Sequence, residues 1–209
     1  SKGQVHGYIV ADFTQPEDLA AKVALFVKEN GGFHILVNNS GGPPSGPILE
    51  AKSSDFIQSF SQHLICNHLL AQVCSEPMKK MGYGRIINII STSVKAPLPN
   101  LGVSNTIRAA VGNWSKTLAN ELGQFNITVN NVLPGATMTE RLNTIISNKS
   151  KKTGTSIEKV KEEMISEIPM KRFAEAEEVA SAVAFLASPA ASYINGINIP
   201  VDGGRTPNL

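Results

Sequence analysis

Residues 84–91 read GRIINIIS, a run of apolar and mostly β-branched residues that ends in a hydroxyl side chain. A continuous apolar run of this length, bounded by glycine and serine, predicts a strand over residues 85–90 that is buried on both faces. Residues 127–133, ITVNNVL, predict a second such strand. Strands buried on both faces are typical of parallel sheets, so we predict a parallel sheet at the centre of the molecule.

The rest of the chain alternates between strand and helix patterns, as a parallel sheet with helical crossovers requires. The pattern contains no domain boundary and no repeat, so we predict one α/β domain over residues 1–209. Further strands are predicted at residues 6–10, at 34–37 (HILV, buried) and at 198–201; helices are predicted to end near residues 30, 81 and 122, with another over 175–187 and a polar helical excursion over about 140–168.

Composition excludes several classes of function. The formal net charge is +2, from 19 basic and 17 acidic residues, which gives no electrostatic footprint for nucleic acid or a membrane surface. No apolar run is long enough to span a bilayer. The two cysteines, Cys66 and Cys74, suit a reducing compartment and are predicted to be free and buried. We therefore expect a cytoplasmic protein that binds a small molecule.

Polar and small residues follow three of the predicted strands: VNNSGG at 37–42, IISTS at 89–93 and LPGATMT at 133–139. A tight turn explains any one of these segments alone. However, ligands of parallel α/β sheets bind at the carboxyl ends of the strands, where all three segments would meet.

Taken together, these segments resemble the short-chain dehydrogenase/reductase family, of the kind typified by ketoacyl carrier-protein reductases. Residues 37–42 match its Asn-Asn-Ala-Gly strand end, with Ser40 in place of alanine. Residues 84–91 match its strand leading to a catalytic serine, and residues 168–188 match its C-terminal helix. The resemblance implies a Rossmann-type doubly wound parallel sheet and NAD(P)-dependent hydride transfer between a carbonyl and an alcohol, with a 3-oxoacyl compound as one candidate substrate.

The family's opening unit has no counterpart in this sequence. Its members begin with a strand, a glycine-rich turn, a helix and a second strand, whereas residues 6–12 already resemble the third strand. Two interpretations stay open: part of the natural chain is absent from the sequence, or the protein is naturally short with a rearranged sheet. A chain without the turn is expected to bind nicotinamide dinucleotide very weakly, because the pyrophosphate loses its backbone donors.

The family's catalytic positions carry altered residues. Ser91 matches its serine, Ser104 stands 13 residues later at the tyrosine position, and Arg108 stands at the lysine position four residues further on. Counting from two flanking motifs places the family's asparagine at His63, with Asn67 one turn later as the alternative. By resemblance these four residues, Ser91, Ser104, Arg108 and His63, form the catalytic set.

The altered set changes how a proton can be supplied. A serine hydroxyl is a far weaker acid than a tyrosine, and arginine does not release its proton at neutral pH. Among these groups His63 has an ordinary pKa near neutrality, although a helix-packing role for this histidine stays equally open. Lys95, four residues after Ser91, is a weaker candidate for a site residue. A cationic cleft rich in hydroxyl groups suits a carboxylate, a phosphate or an enolate.

The resemblance also implies residues for the cofactor, which would be NAD or NADP. No metal is predicted, since the histidines lack ligand spacing to any carboxylate or cysteine. A homotetramer is expected, with residues 174–199, including Phe185 and Tyr193, in one contact. The cofactor positions are Asp12 and Phe13 at the adenine, Asn38, Asn39 and Gly41 at the adenosine ribose, and Pro134, Gly135, Thr137 and Thr139 at the nicotinamide.

Two functions follow from these observations. The first is an NAD(P)-dependent oxidoreductase with altered proton delivery. The second is a catalytically silent relative that binds a nucleotide or metabolite, or serves as a scaffold subunit. Binding without turnover would distinguish the second from the first.

Overall fold

A four-stranded parallel sheet in the order β1-β2-β3-β4 forms the centre of the computed structural model, which describes residues 3–207. The strands are β1 (Ile35–Asn38), β2 (Gly84–Ile89), β3 (Ile127–Pro134) and β4 (Asn198–Val201). Each strand pairs with the next one in the chain. The predicted parallel α/β architecture is confirmed, while residues 1, 2, 208 and 209 of the predicted domain lie outside the described part.

Helices connect the strands and cover the sheet. α1 begins with Pro16, whose ring fixes φ at a value that suits the first helical turn. α3 is capped at its C-terminus by Gly82, which has a left-handed φ of 64°. The helices are α1 (Pro16–Asn30), α2 (Ser53–Phe60), α3 (Cys66–Met81), α4 (Gly102–Leu122), α5 (Glu140–Thr153), α6 (Ile157–Ser166) and α7 (Ala176–Ala187).

The core lies on both faces of the two central strands. On one face, side chains of α3 and α4, such as Met78 and Leu122, pack against Ile86 and Val129. On the other face, Leu186 of α7 packs against Ile87 and Val132. Apolar residues at successive positions of β2 and β3 therefore face two helical layers, which accounts for the uninterrupted apolar runs.

The prediction that residues 34–37 form a strand buried on both faces is wrong. β1 is shifted by one residue, and Ile35 and Val37 are 41% and 43% exposed. Within residues 3–207 this strand has a neighbour on one side, β2, and the face that carries the two side chains is open to solvent. An apolar run predicts that a strand can be buried, but the number of covering layers is a tertiary property.

The prediction of a strand over residues 6–10 is also wrong. These residues form neither a helix nor a strand, and Tyr8 and Val10 are largely exposed. An extended segment becomes a strand only when a neighbouring strand accepts and donates its backbone hydrogen bonds. No described strand lies beside this one.

Four asparagines in register form a hydrogen-bonded row across the whole sheet. Asn38, Asn88, Asn131 and Asn198 occupy paired positions of the four strands. Nδ2 of Asn38 donates to Oδ1 of Asn88 at 2.8 Å, Nδ2 of Asn88 to Oδ1 of Asn131 at 3.0 Å, and Nδ2 of Asn131 to Oδ1 of Asn198 at 2.8 Å. This asparagine row lies at the carboxyl end of β1, near that of β2, in the middle of β3 and at the first residue of β4.

Two helices, α5 and α6, follow β3 over the residues where a polar helical excursion was predicted. Leu142 and Ile146 of α5 pack against Val160 of α6, and Phe173 completes this small cluster. The apolar residues of the excursion thus form a satellite core of their own.

Candidate active site

The polar segments after β1, β2 and β3 meet at one edge of the sheet, since the three strands are parallel and adjacent. Ser40 follows β1, Ser91 follows β2, and residues 135–139 follow β3. We call the space above these strand ends the strand-end cleft. Two helical side chains, His63 and Arg108, enter it from the side.

His63 lies in a π-helical turn, Ser61–Ile65, that joins α2 to α3. Such turns insert an extra residue into a helix and occur frequently at functional sites. The imidazole is 3% exposed, and its Nδ1 lies 2.9 Å from Oγ of Ser40. Its Nε2 is buried with no hydrogen-bond partner in the described structure.

Burial, reinforced by the positive charge of Arg108, lowers the pKa of His63 to about 4. Both causes disfavour the imidazolium, the first by desolvation and the second by repulsion. The imidazole is therefore neutral at pH 7. In this state the ring can take up a proton at one nitrogen and release one from the other. The charged imidazolium, which would act as the acid, is scarcely populated at pH 7.

Arg108 on α4 is 9% exposed and joins the helix to the end of β2. Its Nη1 donates to the carbonyl oxygen of Ile89 at 2.6 Å, while its Nε is buried without a partner. Burial, together with the charge of Arg141, lowers the pKa of Arg108 to about 10. The guanidinium remains charged at pH 7, so this site holds a cation in a mostly desolvated position.

The two serines of the predicted set differ in their surroundings. Oγ of Ser91 accepts a hydrogen bond from the backbone N–H of Ser93 at 3.1 Å, which caps a short 3-10 turn. Ser104 is half-buried one helical turn before Arg108, on the same face of α4. The structure thus joins His63 to the end of β1 and Arg108 to the end of β2 next to Ser91, with Ser104 alongside on the helix.

The positions expected at the adenosine end of a cofactor are placed as follows. Asp12 is exposed, and its carboxylate accepts the backbone N–H of Thr14 at 2.8 Å. Phe13 packs in a hydrophobic cluster with residues of α1 and α3. The side chain of Asn38 belongs to the asparagine row, so its amide group is already committed to the sheet. Asn39 and Gly41 are exposed, and no atom lies within 4 Å of the position a Cβ would take at Gly41.

The positions expected at the nicotinamide form a turn that leads into α5. The backbone N–H of Gly135 donates to the carbonyl of Val201, and a Cβ at Gly135 would lie 2.7 Å from the Cβ of Asp202. Oγ1 of Thr137 donates to the carbonyl of Gly135, and Oγ1 of Thr139 caps α5. Close packing against Asp202 therefore explains the glycine, and helix capping explains Thr139.

Sequence reasoning missed two residues of the cleft. Ser40 was noted as a departure from alanine, yet its contact with His63 needed the register of the π-turn. Arg141, at the start of α5, donates from Nη2 to the carbonyl of Pro43 at 2.7 Å and so crosses from the β3 side to the loop after β1. A positively charged residue shortly after the Pro-Gly turn was the available signal.

A groove of about 460 Å³ lies beside the strand-end cleft. Val94, Leu98, Gly102 and Asn105 are among its lining residues, whereas Ser91, Ser104 and Arg108 are not. The groove follows the other side of the segment after β2, and we do not assign the chemistry to it. Lys95 is half-buried in that same segment.

No group of three His, Cys, Asp or Glu side chains within residues 3–207 is arranged to hold a metal ion. No helix in the same range has the length and apolarity that crossing a membrane requires.

Comparison with known proteins decides the family. The model of the family described as enoyl-(acyl carrier protein) reductase matches residues 1–206. The chain belongs to the short-chain dehydrogenase/reductase family. The resemblance drawn from the strand-end motifs is thereby confirmed.

Individual members of the short-chain dehydrogenase/reductase family are similar to this chain over most of its length. The NADPH-dependent reductase BacG of Bacillus subtilis is 37% identical over 179 residues, covering 86% of this chain and 69% of its own. The 3-oxoacyl-[acyl-carrier-protein] reductase FabG of Vibrio cholerae is 33% identical over 193 residues, covering 91% and 74%. The structure of L-sorbose reductase from Gluconobacter frateurii, complexed with NADPH and L-sorbose, matches with a TM-score of 0.89 and 32% identity, covering 96% of this chain and 77% of that one.

Proposed function

We propose that this chain is an NAD(P)-dependent oxidoreductase that acts on the carbonyl or alcohol group of a small molecule, with altered proton delivery. The observation that carries the proposal is the convergence of Ser91, Arg108 and His63 on the ends of two adjacent strands. Membership of the short-chain dehydrogenase/reductase family and the NADPH-dependent relatives support the reaction class. A 3-oxoacyl compound is one candidate substrate, as for the reductase FabG.

The residues of the cleft fit a nicotinamide dinucleotide in part. Exposed backbone at Asn39 and Gly41 leaves room for a ribose. Oγ1 of Thr137, which donates to the carbonyl of Gly135, keeps lone pairs that can accept a hydrogen bond from a carboxamide. A bound nicotinamide would supply the hydride in carbonyl reduction, or accept it in the reverse direction. We assign the adenine to Asp12 and Phe13, the adenosine ribose to Asn38, Asn39 and Gly41, and the nicotinamide to Pro134, Gly135, Thr137 and Thr139.

Carbonyl reduction also requires a proton on the oxygen, and the chain offers an unusual route. Ser91 and Ser104 can donate hydrogen bonds to the substrate oxygen, and Arg108 stabilises negative charge that develops there. His63 is neutral at pH 7, so it acts by relay: one ring nitrogen takes up a proton while the other releases one. Ser40, 2.9 Å from Nδ1, is the first group of such a relay.

A second candidate function is binding without catalysis. It is favoured by Ser104, since an aliphatic hydroxyl replaces the tunable acid of the family. In that case the protein would bind a nucleotide or metabolite, or act as a scaffold subunit, while α4 persists because its buried residues form the core.

Restoring the family pair tests the proposal. The double variant Ser104→Tyr with Arg108→Lys should raise the rate of NADPH-dependent carbonyl reduction at least 10-fold, because it supplies an acid and the charge that tunes it. Ser104→Tyr alone should raise the rate less. If neither the original protein nor the double variant oxidises NADPH with any carbonyl compound, binding without catalysis is the better description.

We also propose a homotetramer in the cytoplasm. Phe185 and Tyr193 are exposed on the single chain, as are Ile57 and Phe60 on α2, and these apolar side chains are available for contacts between subunits. Both cysteines are free and buried, which fits a reducing compartment. Light scattering at micromolar concentration should give four times the chain mass; a monomer would contradict the assembly. Cell fractionation tests the location.

A further inference from the structure

Two donor nitrogens of Arg108 have no protein partner at the strand-end cleft. Its Nη1 donates to the carbonyl of Ile89, its Nε is buried without a partner, and no hydrogen bond joins Nη2 to a described residue. Because Nε is buried, Nη2 is the donor that a ligand can reach. A guanidinium N–H forms a strong, charge-assisted hydrogen bond with a carboxylate oxygen.

The charges around this guanidinium are positive. Arg141 lies close enough for its charge to lower the pKa of Arg108, and Arg108 in turn lowers the pKa of His63. None of the ion pairs within residues 3–207 includes any of these three residues. Within residues 3–207, therefore, neither Arg108 nor Arg141 is paired with a carboxylate.

An uncompensated buried cation is costly, because desolvation is not repaid by a partner. By contrast, the exposed Arg172 pairs with both carboxylate oxygens of Glu178 at 2.6 and 2.7 Å. Arg108 has only one backbone carbonyl. A negatively charged group on the ligand would supply the missing partner.

We propose that the strand-end cleft binds the carboxylate of an oxo acid or hydroxy acid, with Nη2 of Arg108 donating to the carboxylate and Arg141 adding charge at the rim. This substrate class rests on the oxidoreductase function proposed above. It assigns a specificity role to the arginine that stands at the family's lysine position.

The test compares an acid with its uncharged amide and needs no turnover. Binding of 4-methyl-2-oxopentanoate and of its amide is measured by calorimetry without cofactor. The wild-type protein should bind the acid at least 10-fold more tightly than the amide. Arg108→Gln should abolish that preference, Arg108→Lys should retain part of it, and the control Arg172→Gln should leave it unchanged.

Two further arms keep the result interpretable. Arg141→Gln, at an exposed position, should weaken acid binding about 2–5-fold, and it serves if Arg108→Gln fails to fold. Equal binding of acid and amide by the wild-type protein would overturn the proposal. So would an Arg108→Gln variant that loses NADPH affinity but keeps its preference for the acid, because Arg108 would then serve the cofactor.

The outcomes also separate this inference from the proposed function. A preference for the acid without turnover of any carbonyl compound supports the carboxylate site and contradicts the oxidoreductase. Turnover of neutral carbonyl compounds without a preference for acids supports the oxidoreductase and overturns the carboxylate site.

Discussion

The asparagine row and the strand-end cleft both bury polar side chains, but the two regions differ in how completely these side chains are hydrogen-bonded. In the row each amide is hydrogen-bonded to its neighbour, and Asn88 also donates to Oγ of Ser115 at 2.9 Å. In the cleft, Nε2 of His63 and Nε of Arg108 are buried without partners. A fully paired polar network rigidifies a core, whereas a buried polar group without a partner costs free energy unless water or a ligand supplies one.

The row has one open end, which limits the contrast. Oδ1 of Asn38, on the edge strand, is buried without a hydrogen-bond partner in the described structure. The other oxygens of the row accept hydrogen bonds from the neighbouring strand. The interior of the row is therefore the part where substitution should be most costly.

The largest effect is expected from breaking the row at its centre. Asn88→Ala removes hydrogen bonds to Asn38, Asn131 and Ser115 and leaves partners buried and unpaired. The free energy of unfolding should fall by about 3–5 kcal/mol. Urea denaturation measures it, with the exposed Asn113→Ala as a control expected to change by less than about 0.5 kcal/mol. A loss below about 1 kcal/mol for Asn88→Ala would show that the row does not stabilise the sheet.

Only part of this contrast could be read from the sequence. The apolar runs at residues 85–90 and 127–133 predict buried strands because burial on both faces leaves a continuous pattern. Each of the four strands contains an asparagine, but the row depends on register between strands, which no single segment encodes. The strand predicted at residues 6–10 failed for the same reason, because a strand requires a neighbour.

The sequence predicts a set of candidate site residues, but it does not predict their electrostatics. Counting from motifs places Ser91, Ser104, Arg108 and His63 near one another. The depressed pKa of His63 arises from burial and from Arg108, a residue 45 positions away in the chain (108 − 63 = 45). The sequence did not predict Ser40 and Arg141 as site residues, because their contacts with His63 and Pro43 join distant parts of the chain.

A second prediction concerns the pH dependence of stability in the cleft. The pKa of His63 is about 4 when folded, against 6.5 in an unfolded chain, so between these values the unfolded state binds more protons. The stabilisation is fully present above pH 6.5 and is lost as pH falls through about 4. Between pH 7 and 4, wild-type protein should lose about 2–3 kcal/mol more than His63→Asn, which cannot titrate. Parallel denaturation profiles of the two proteins would contradict a buried neutral imidazole.

Removing Ser40, the side chain that contacts His63 Nδ1 within residues 3–207, should have a smaller effect on stability. Ser40→Ala removes the hydroxyl that lies 2.9 Å from Nδ1 and should lower the free energy of unfolding. The expected loss is about 1 kcal/mol, typical of one buried hydrogen bond. Ser181→Ala, at an exposed position of α7, is the matched control and should be nearly neutral. An unchanged Ser40→Ala variant would mean that water replaces the hydroxyl.

The smallest effect should come from the charge of Arg108 acting on its neighbour. Arg108→Met should raise the pKa of His63, because a repelling cation is removed, while burial keeps the value below 6.5. Proton NMR titration of the imidazole measures this, with Arg172→Met as the control. A pKa that falls or does not move would indicate that the two side chains are separated by solvent.

The central claim is that this altered site still transfers hydride, and isotope transfer tests it most directly. The purified protein is incubated with a panel of oxo acids and neutral ketones and with millimolar NADPH that carries deuterium at both C4 positions. The masses of the products are then measured by mass spectrometry. The account predicts a hydroxy product heavier by one deuterium, formed fastest from an oxo acid and lost in Arg108→Gln. Saturable binding of the acids with no deuterium in any product would contradict it.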